Sequence, residues 1–396
     1  MTVMTDALPF YDSVTIGVWV RSGSRMESSG EEGLAHFTEH MLFKGTDKRS
    51  ARDIVLEPES LGAHINAYTM REITCYYIQT PAAGAEKAVE ILADMLTGSV
   101  FHPRDVETER QVILEEITAT EDTPEDYVVD LFQEKLFPEH PLGHPILGTR
   151  ETVGDFSPED VRQFWRQWYR PDRLLIAAAG HVTHDAFTDW CEKYFQFTND
   201  VPSRSFSDQK PNARKGKCPP VSVGFSQRHI CCGTALCAAN APDRYPLELW
   251  HTLLGAGMSS LLFQQLRETH GMVYTVYSYP EFYSDSGVFF VYLGVDPRKE
   301  TRALELLKNT LNSLARDGID RDTLERVKRQ YNGQRELSME STYKRMAHMA
   351  RQFMETGRVA SLSELSAGVD AVDVEQMMET AQRYLNFDNW LMVTLQ

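Results

Sequence analysis

The spacing of apolar positions changes period along the chain, and the changes divide it into strands and helices. Val14–Val20 reads Val-Thr-Ile-Gly-Val-Trp-Val, rich in β-branched residues and bounded by Gly23, which predicts a strand. From Gly33 to Gly45 the period lengthens: Leu34, Phe37 and Met41 recur at helical spacing, predicting a helix that packs through those three and stops at Gly45. Ser50–Leu61 predicts a second helix. Gly62–Thr69 and Ile73–Thr80 read as two strands joined by a turn near Arg71 and Glu72, and Pro81 ends the pair. Glu86–Val100 carries Val89, Leu92 and Leu96 on one stripe, an amphipathic helix. Asp105 is the expected cap of a long helix to about Glu121, packing through Val106, Val112 and Ile113. Helices follow at about 124–137 and 157–169, then a buried strand at Leu174–Ala179, stopped by Gly180.

Residues 198–220 break this regularity. Pro202, Pro211, Pro219 and Pro220 accumulate with serines and with basic Arg204, Lys210, Arg214, Lys215 and Lys217, the composition of a linker. Beyond it the order of elements repeats. Val221–Phe225 and Thr234–Cys237 are predicted strands, Pro242–Leu254 a helix, and Gly271–Ser278 and Gly287–Val295 a strand pair. Helices are expected at 301–315 and from about Asp322. Ala88-Val-Glu-Ile-Leu92 matches Ala303-Leu-Glu-Leu-Leu307, Arg104-Asp105 matches Arg321-Asp322, and Pro171–Leu175 resembles Phe387–Leu391. All three pairs are separated by about 216 residues, which marks an internal duplication. The expected fold is α+β: two homologous domains, each an antiparallel-rich sheet with helices packed on one face. The expected division is 1–197, a linker at 198–220, and 221–396.

Composition narrows the classes. Lys plus Arg is 40 against 57 Asp plus Glu, a net charge of −17, which argues against a nucleic-acid partner. No apolar run reaches the roughly 18 residues of a membrane span, and the N-terminus has no secretory or transit character. The six cysteines form no C-x-x-C pair and no even framework, which points to a reducing, cytoplasmic compartment.

Chemistry concentrates in the first predicted helix. His36 and His40 stand one turn apart on the same face, with Glu39 beside them. Two imidazoles at this spacing can grip one metal ion, and H-x-x-E-H is the reverse of the commoner H-E-x-x-H zinc helix. The second half has no such motif, and Gly333 stands where the duplication would place a partner of Glu116. A catalytic zinc takes three protein ligands, so a carboxylate is the expected third. The helix from Asp105 offers Glu107, Glu109, Glu115 and Glu116, and spacing alone does not choose among them; Glu109 and Glu116 share a face.

Several stretches together resemble a known family. His36-Phe-Thr-Glu-His40 with the following Phe-Lys-Gly-Thr, Asn66-Ala-Tyr-Thr69, and Glu109-Arg-Gln-Val-Ile-Leu-Glu-Glu116 are similar to the pitrilysin/insulinase family of inverted zinc peptidases. Tyr169-Arg-Pro-Asp172 and Leu254–Arg267 fit the same pattern, so the likeness covers nearly the whole chain. It is nearest the short branch of processing-peptidase-like enzymes. The resemblance implies a zinc endopeptidase for peptides or unfolded segments bound in extended form, with one zinc per chain held by His36, His40 and Glu116. It implies Glu39 as general base, Glu109 as the carboxylate that orients a ligand histidine, and Asn66 and Ala67 on the edge strand that receives substrate. Arg267 and Tyr274 match the family's pair near the scissile peptide, contributed by a domain of the second type. Present together with a complete ligand set, they imply a homodimer enclosing a chamber, or a heterodimer with an inactive paralogue. The same fold also serves as non-catalytic subunits. Two departures stand out. The family's Asn-Gly-Leu stretch before the first strand is absent, which implies a start inside that strand. The usual Gly-Gly is Leu61-Gly62, followed by His64 in the substrate strand.

Overall fold

The structure is a computed structural model that describes residues 1–197 and 210–396. Most of the linker, 198–209, lies outside the described residues. The chain forms two compact units. The first gathers Met1–Ala119, the residues from His144 to Phe197, and Ser338–Met354; the second gathers Thr120–Gly143, residues 210–337 and Glu355–Gln396.

The first unit is built on five strands: β1 (Thr2–Ala7), β2 (Ser13–Val20), β3 (His64–Thr69), β4 (Thr74–Pro81) and β5 (Leu174–Gly180). Their order is β1-β5-β2-β4-β3. β1 runs parallel to β5, with Thr2 opposite Leu175, so the first strand is formed; all other pairs are antiparallel. Period-two alternation decides which side chains face which layer. Val14, Ile16, Val18, Ile176 and Ala178 point into the larger core, where α1 (Leu34–Met41), α2 (Ala51–Ser60), α3 (Ala85–Gly98), α4 (Pro103–Asp122) and further helices contribute apolar residues. Trp19, Leu175, Ala177 and Ala179 point the other way and are covered by Met346, Met349 and Ala350 from the helix at Thr342–Thr356.

The second unit repeats this plan. β6 (Gly216–Lys217), β7 (Arg228–Leu236), β8 (Val273–Phe282), β9 (Gly287–Val295) and β10 (Leu391–Leu395) lie in the order β6-β10-β7-β9-β8, again with one parallel pair, β10 with β6. Strand for strand this is the order of the first sheet, as duplication predicts. Ile230, Cys232, Val291 and Leu293 face one core; Cys231, Val288 and Tyr292 face the other, covered by Val128, Phe132 and Leu136 of the helix at Pro124–Leu136. That helix precedes the linker in sequence yet belongs to the second unit, and the helix at Thr342–Thr356 belongs largely to the first. Each sheet thus takes its second-face cover from the other copy's stretch of chain.

Some local expectations are corrected. Val221–Phe225 is not a strand: only Val221 makes an isolated bridge, to Leu395, and the strand begins at Arg228. Val221, Val223 and Gly224 donate to carbonyls of Thr394 and Gln396, and Gly224 turns the chain with φ 87. The long helix starts at Pro103, so Asp105 sits in its first turn instead of capping it; proline at a first helical position needs no N–H partner. Val112 is 41% exposed, and the buried stripe is Val106, Glu109, Ile113 and Ile117.

Candidate metal centre and catalytic site

α1 is held in place before any metal is considered. Its N-cap, Gly33, has φ 94 and no side chain to cap the helix. The Glu27 carboxylate does that work from outside, accepting the Ala35 N–H at 2.7 Å and the Gly33 N–H at 3.0 Å. A Cβ on Gly33 would lie 2.6 Å from the Leu147 carbonyl, so only glycine allows this approach. Leu34, Phe37 and Met41 are buried at 3%, 0% and 0% exposure and fix the rotation of the helix. The helix ends at Met41, one turn earlier than Gly45; Gly45 instead bridges to Ser50 at the start of α2.

This rotation presents His36, Glu39 and His40 to α4. Glu109, on the otherwise apolar stripe of α4, is 3% exposed, and a buried carboxylate needs partners. It has two: Glu109 Oε2 lies 3.0 Å from His40 Nδ1, and Oε1 pairs with the Lys44 ammonium. Two turns along, Glu116 Oε2 lies 3.5 Å from His40 Nε2 and 3.8 Å from His36 Nε2. The ligand atoms, one each from His36, His40 and Glu116, lie within 4.8 Å of one another, and among the described residues this is the one such group. Ligand atoms about 2.0–2.2 Å from a tetrahedral ion sit roughly 3.3–3.5 Å apart, so this set fits zinc with small adjustment and an open fourth position. Glu107 and Glu115, the other two candidates on α4, are exposed. The geometry therefore separates the four candidates that spacing could not.

The electrostatics suit ligation. Burial, with help from the charge of His40, depresses His36 to about 3, leaving a neutral imidazole at physiological pH. His40 goes the other way: burial would lower it, but the hydrogen bond to Glu109 and the nearby charges of Glu116 and Glu39 outweigh that and raise it. Glu109 is held below the usual carboxylate range because its bonds to His40 and Lys44 outweigh the cost of burial. Burial raises Glu39, a shift opposed by the Thr69 hydroxyl, which donates to Glu39 Oε2 at 2.5 Å.

The remaining expected residues fall in two places. Asn66 and Ala67 lie mid-way along β3, at the edge of the first sheet, paired with Tyr77 and Tyr76 of β4. Exposed His64 opens the same strand. Arg267 and Tyr274 belong to the second unit and meet there: the Arg267 guanidinium lies 5.1 Å above the Tyr274 ring. Both occupy irregular backbone. Arg267 is on a π-helical segment, Phe263–Thr269, and Tyr274 is left unpaired by a bulge between Val273 and Thr275, which turns its ring outward to 72% exposure. Three participants escaped the sequence reading: Glu27, Lys44 and Thr69. Lys44 and Thr69 both stand within the stretches that carry the family resemblance, without a role assigned to them there, and Lys44 is also four residues after His40 on a chain that must neutralise a buried carboxylate; Glu27 carries no such signal.

Comparison with known proteins follows this geometry. Residues 2–150 match the insulinase (peptidase family M16) domain, and 155–331 match the peptidase M16 inactive domain. An uncharacterized zinc protease of Bacillus subtilis, YmxG, is 36% identical over 96% of this chain and 92% of its own length. The chain belongs to the insulinase family, peptidase family M16. An uncharacterized zinc protease from Mycobacterium tuberculosis is 34% identical over 98% of this chain and 89% of its own. Among solved structures, a protease from Helicobacter pylori superposes with a TM-score of 0.91 at 21% identity, covering 100% of this chain and 96% of that one. A chain of Complex III2 from Candida albicans superposes at 0.85 with 19% identity, over 99% and 93%. The fold is thus shared by a protease and by a chain of Complex III2. No helix among the described residues is long and apolar enough to cross a membrane.

Proposed function

We propose that this M16 chain is a zinc-dependent endopeptidase that cuts peptides or unfolded segments held in extended form. The observation that carries the reading is the convergence of the His36, His40 and Glu116 ligand atoms beside a buried Glu39. His36, His40 and Glu116 would hold one zinc per chain, which would supply Lewis acidity toward the peptide carbonyl and toward water. Glu39 takes the proton from the attacking water and returns it to the leaving amine nitrogen, a transfer that a positioned carboxylate accelerates by roughly 10²–10⁴-fold. Glu109 accepts the His40 Nδ1–H, fixing the ring so that Nε2 is the free ligand atom. The edge of β3 at Asn66 and Ala67 offers main-chain groups to an added strand, with the Ala67 N–H now given to Asn66 Oδ1 at 2.8 Å and to be released on docking; such pairing selects extended backbone over side-chain identity. Arg267 and Tyr274, stacked on each other on irregular backbone, supply a guanidinium and a phenol suited to an oxyanion. In this reading the working assembly is a homodimer in the cytoplasm, consistent with six cysteines all free.

A second reading, a non-catalytic subunit, draws on the likeness to the Complex III2 chain. It leaves the complete ligand set without a task. Mass mapping of the products from a reduced, unfolded protein substrate separates the two. Internal cuts, absent when the same substrate is folded, are expected; an intact substrate would favour the subunit, and trimming from the ends would contradict endopeptidase action.

A further inference from the structure

We infer that Thr69 is a positioning residue for the general base, setting the direction of the Glu39 carboxylate from the end of the substrate strand. This rests on the endopeptidase reading above. Thr69 is the last residue of β3 and pairs across the hairpin with Thr74. Its hydroxyl donates to Glu39 Oε2 at 2.5 Å. Among the described residues this is the one hydrogen bond made to that carboxylate, and Glu39 is 8% exposed, so solvent offers few substitutes.

Proton accounting makes the direction of that bond unambiguous. Thr74 Oγ1 lies 3.4 Å from Thr69 Oγ1, close enough to compete for its proton. Yet Thr74 is fully buried and donates its own proton to the Ser22 carbonyl at 2.9 Å. A hydroxyl has one proton to give. Thr74, its proton given to Ser22, is left as a second acceptor at 3.4 Å, but the ionised carboxylate at 2.5 Å is the nearer acceptor and can only accept, so Thr69 is the donor to Glu39. Oε2 is thereby tied down, and among the described residues Oε1 takes no protein hydrogen bond. A carboxylate on a glutamate stem has three torsions; one short bond from a residue anchored in a sheet removes the freedom that would otherwise blur its aim.

The placement on β3 adds a second consequence. Asn66, Ala67 and Thr69 share one edge strand. A peptide that adds to that edge orders the strand whose final side chain holds the base, so docking of substrate and alignment of Glu39 are coupled through three residues of backbone. A threonine with only a structural part would show no such selectivity for the chemical step.

Thr69→Val keeps the shape and removes the donor, and Thr69→Ser restores it. For Thr69→Val, kcat on a fluorogenic peptide is expected to fall about 10- to 100-fold, with KM within about twofold and zinc content unchanged. Thr69→Ser is expected to recover kcat to within about threefold of wild type. Wild-type kcat in the valine protein, a failure of serine to restore, or a loss that lies in KM or zinc content overturns the inference. Thr69→Ala, which adds no bulk, carries the same expectation should valine be poorly accommodated. A crystal structure of the valine protein gives a readout independent of turnover: the Glu39 carboxylate is expected to leave its present position, and an unmoved carboxylate overturns the inference. Absence of cleavage by the wild-type protein would count against the endopeptidase reading itself, while the position of Glu39 in the variant would still decide the role of Thr69.

Discussion

Replacing Glu39 with glutamine is expected to leave zinc bound and to reduce peptide cleavage by roughly 10²–10⁴-fold. The substitution keeps the size of the side chain and its ability to accept from Thr69, so α1 and its apolar face should be undisturbed. What is lost is the basic oxygen. The ligand atoms of the metal group come from His36, His40 and Glu116, not from Glu39, so metal content is the internal control. Metal analysis beside a fluorogenic peptide assay checks both halves at once. Undiminished turnover would remove Glu39 from the mechanism; lost zinc would mean that Glu39 is a ligand and that the assignment of the three is wrong.

The second large effect concerns the third ligand. Glu116→Gln is expected to weaken zinc binding by more than the roughly 10–100-fold that loss of an outer-sphere partner costs, because a ligand charge disappears from the set itself. Glu115→Gln, one residue earlier, is expected to change zinc affinity by less than about threefold, since an exposed charge outside the ligand group acts through screened water. Competition with a chromophoric chelator measures both. The reverse order would show that the wrong carboxylate had been chosen, and equal effects would show that the helix supplies charge without a specific ligand.

How much of this was legible in the sequence differs from one element to the next. His36 and His40 were legible because a helix repeats every 3.6 residues, so two positions four apart share a face whatever surrounds them. The duplication was legible because matched segments kept a near-constant offset, and the two sheets repeat one strand order. The choice of Glu116 over Glu107 and Glu115 was not, since it depends on how α4 is rolled against α1. That roll is set by Val106, Glu109, Ile113 and Ile117, a stripe in which a carboxylate stands at an apolar position. An acidic residue in register with a buried stripe is a signal in its own right, because it cannot stay there without partners. The assignment of helices to units was hidden for a different reason. The helices at Pro124–Leu136 and Thr342–Thr356 look like any amphipathic helix, and nothing local says which of two similar sheets each will cover. Thr69 was hidden because its role depends on a hydrogen bond across a fold of thirty residues, from β3 back to α1.

The measurement that tests the central claim most directly is zinc content and peptide cleavage on one preparation of the wild-type chain, before and after a chelator and again after zinc is returned. The account predicts one zinc per chain, cleavage that falls to background as the metal is stripped, and recovery when stoichiometric zinc is restored. Cleavage that persists in the metal-free protein, or a fully zinc-loaded chain that cuts no unfolded substrate, would contradict it.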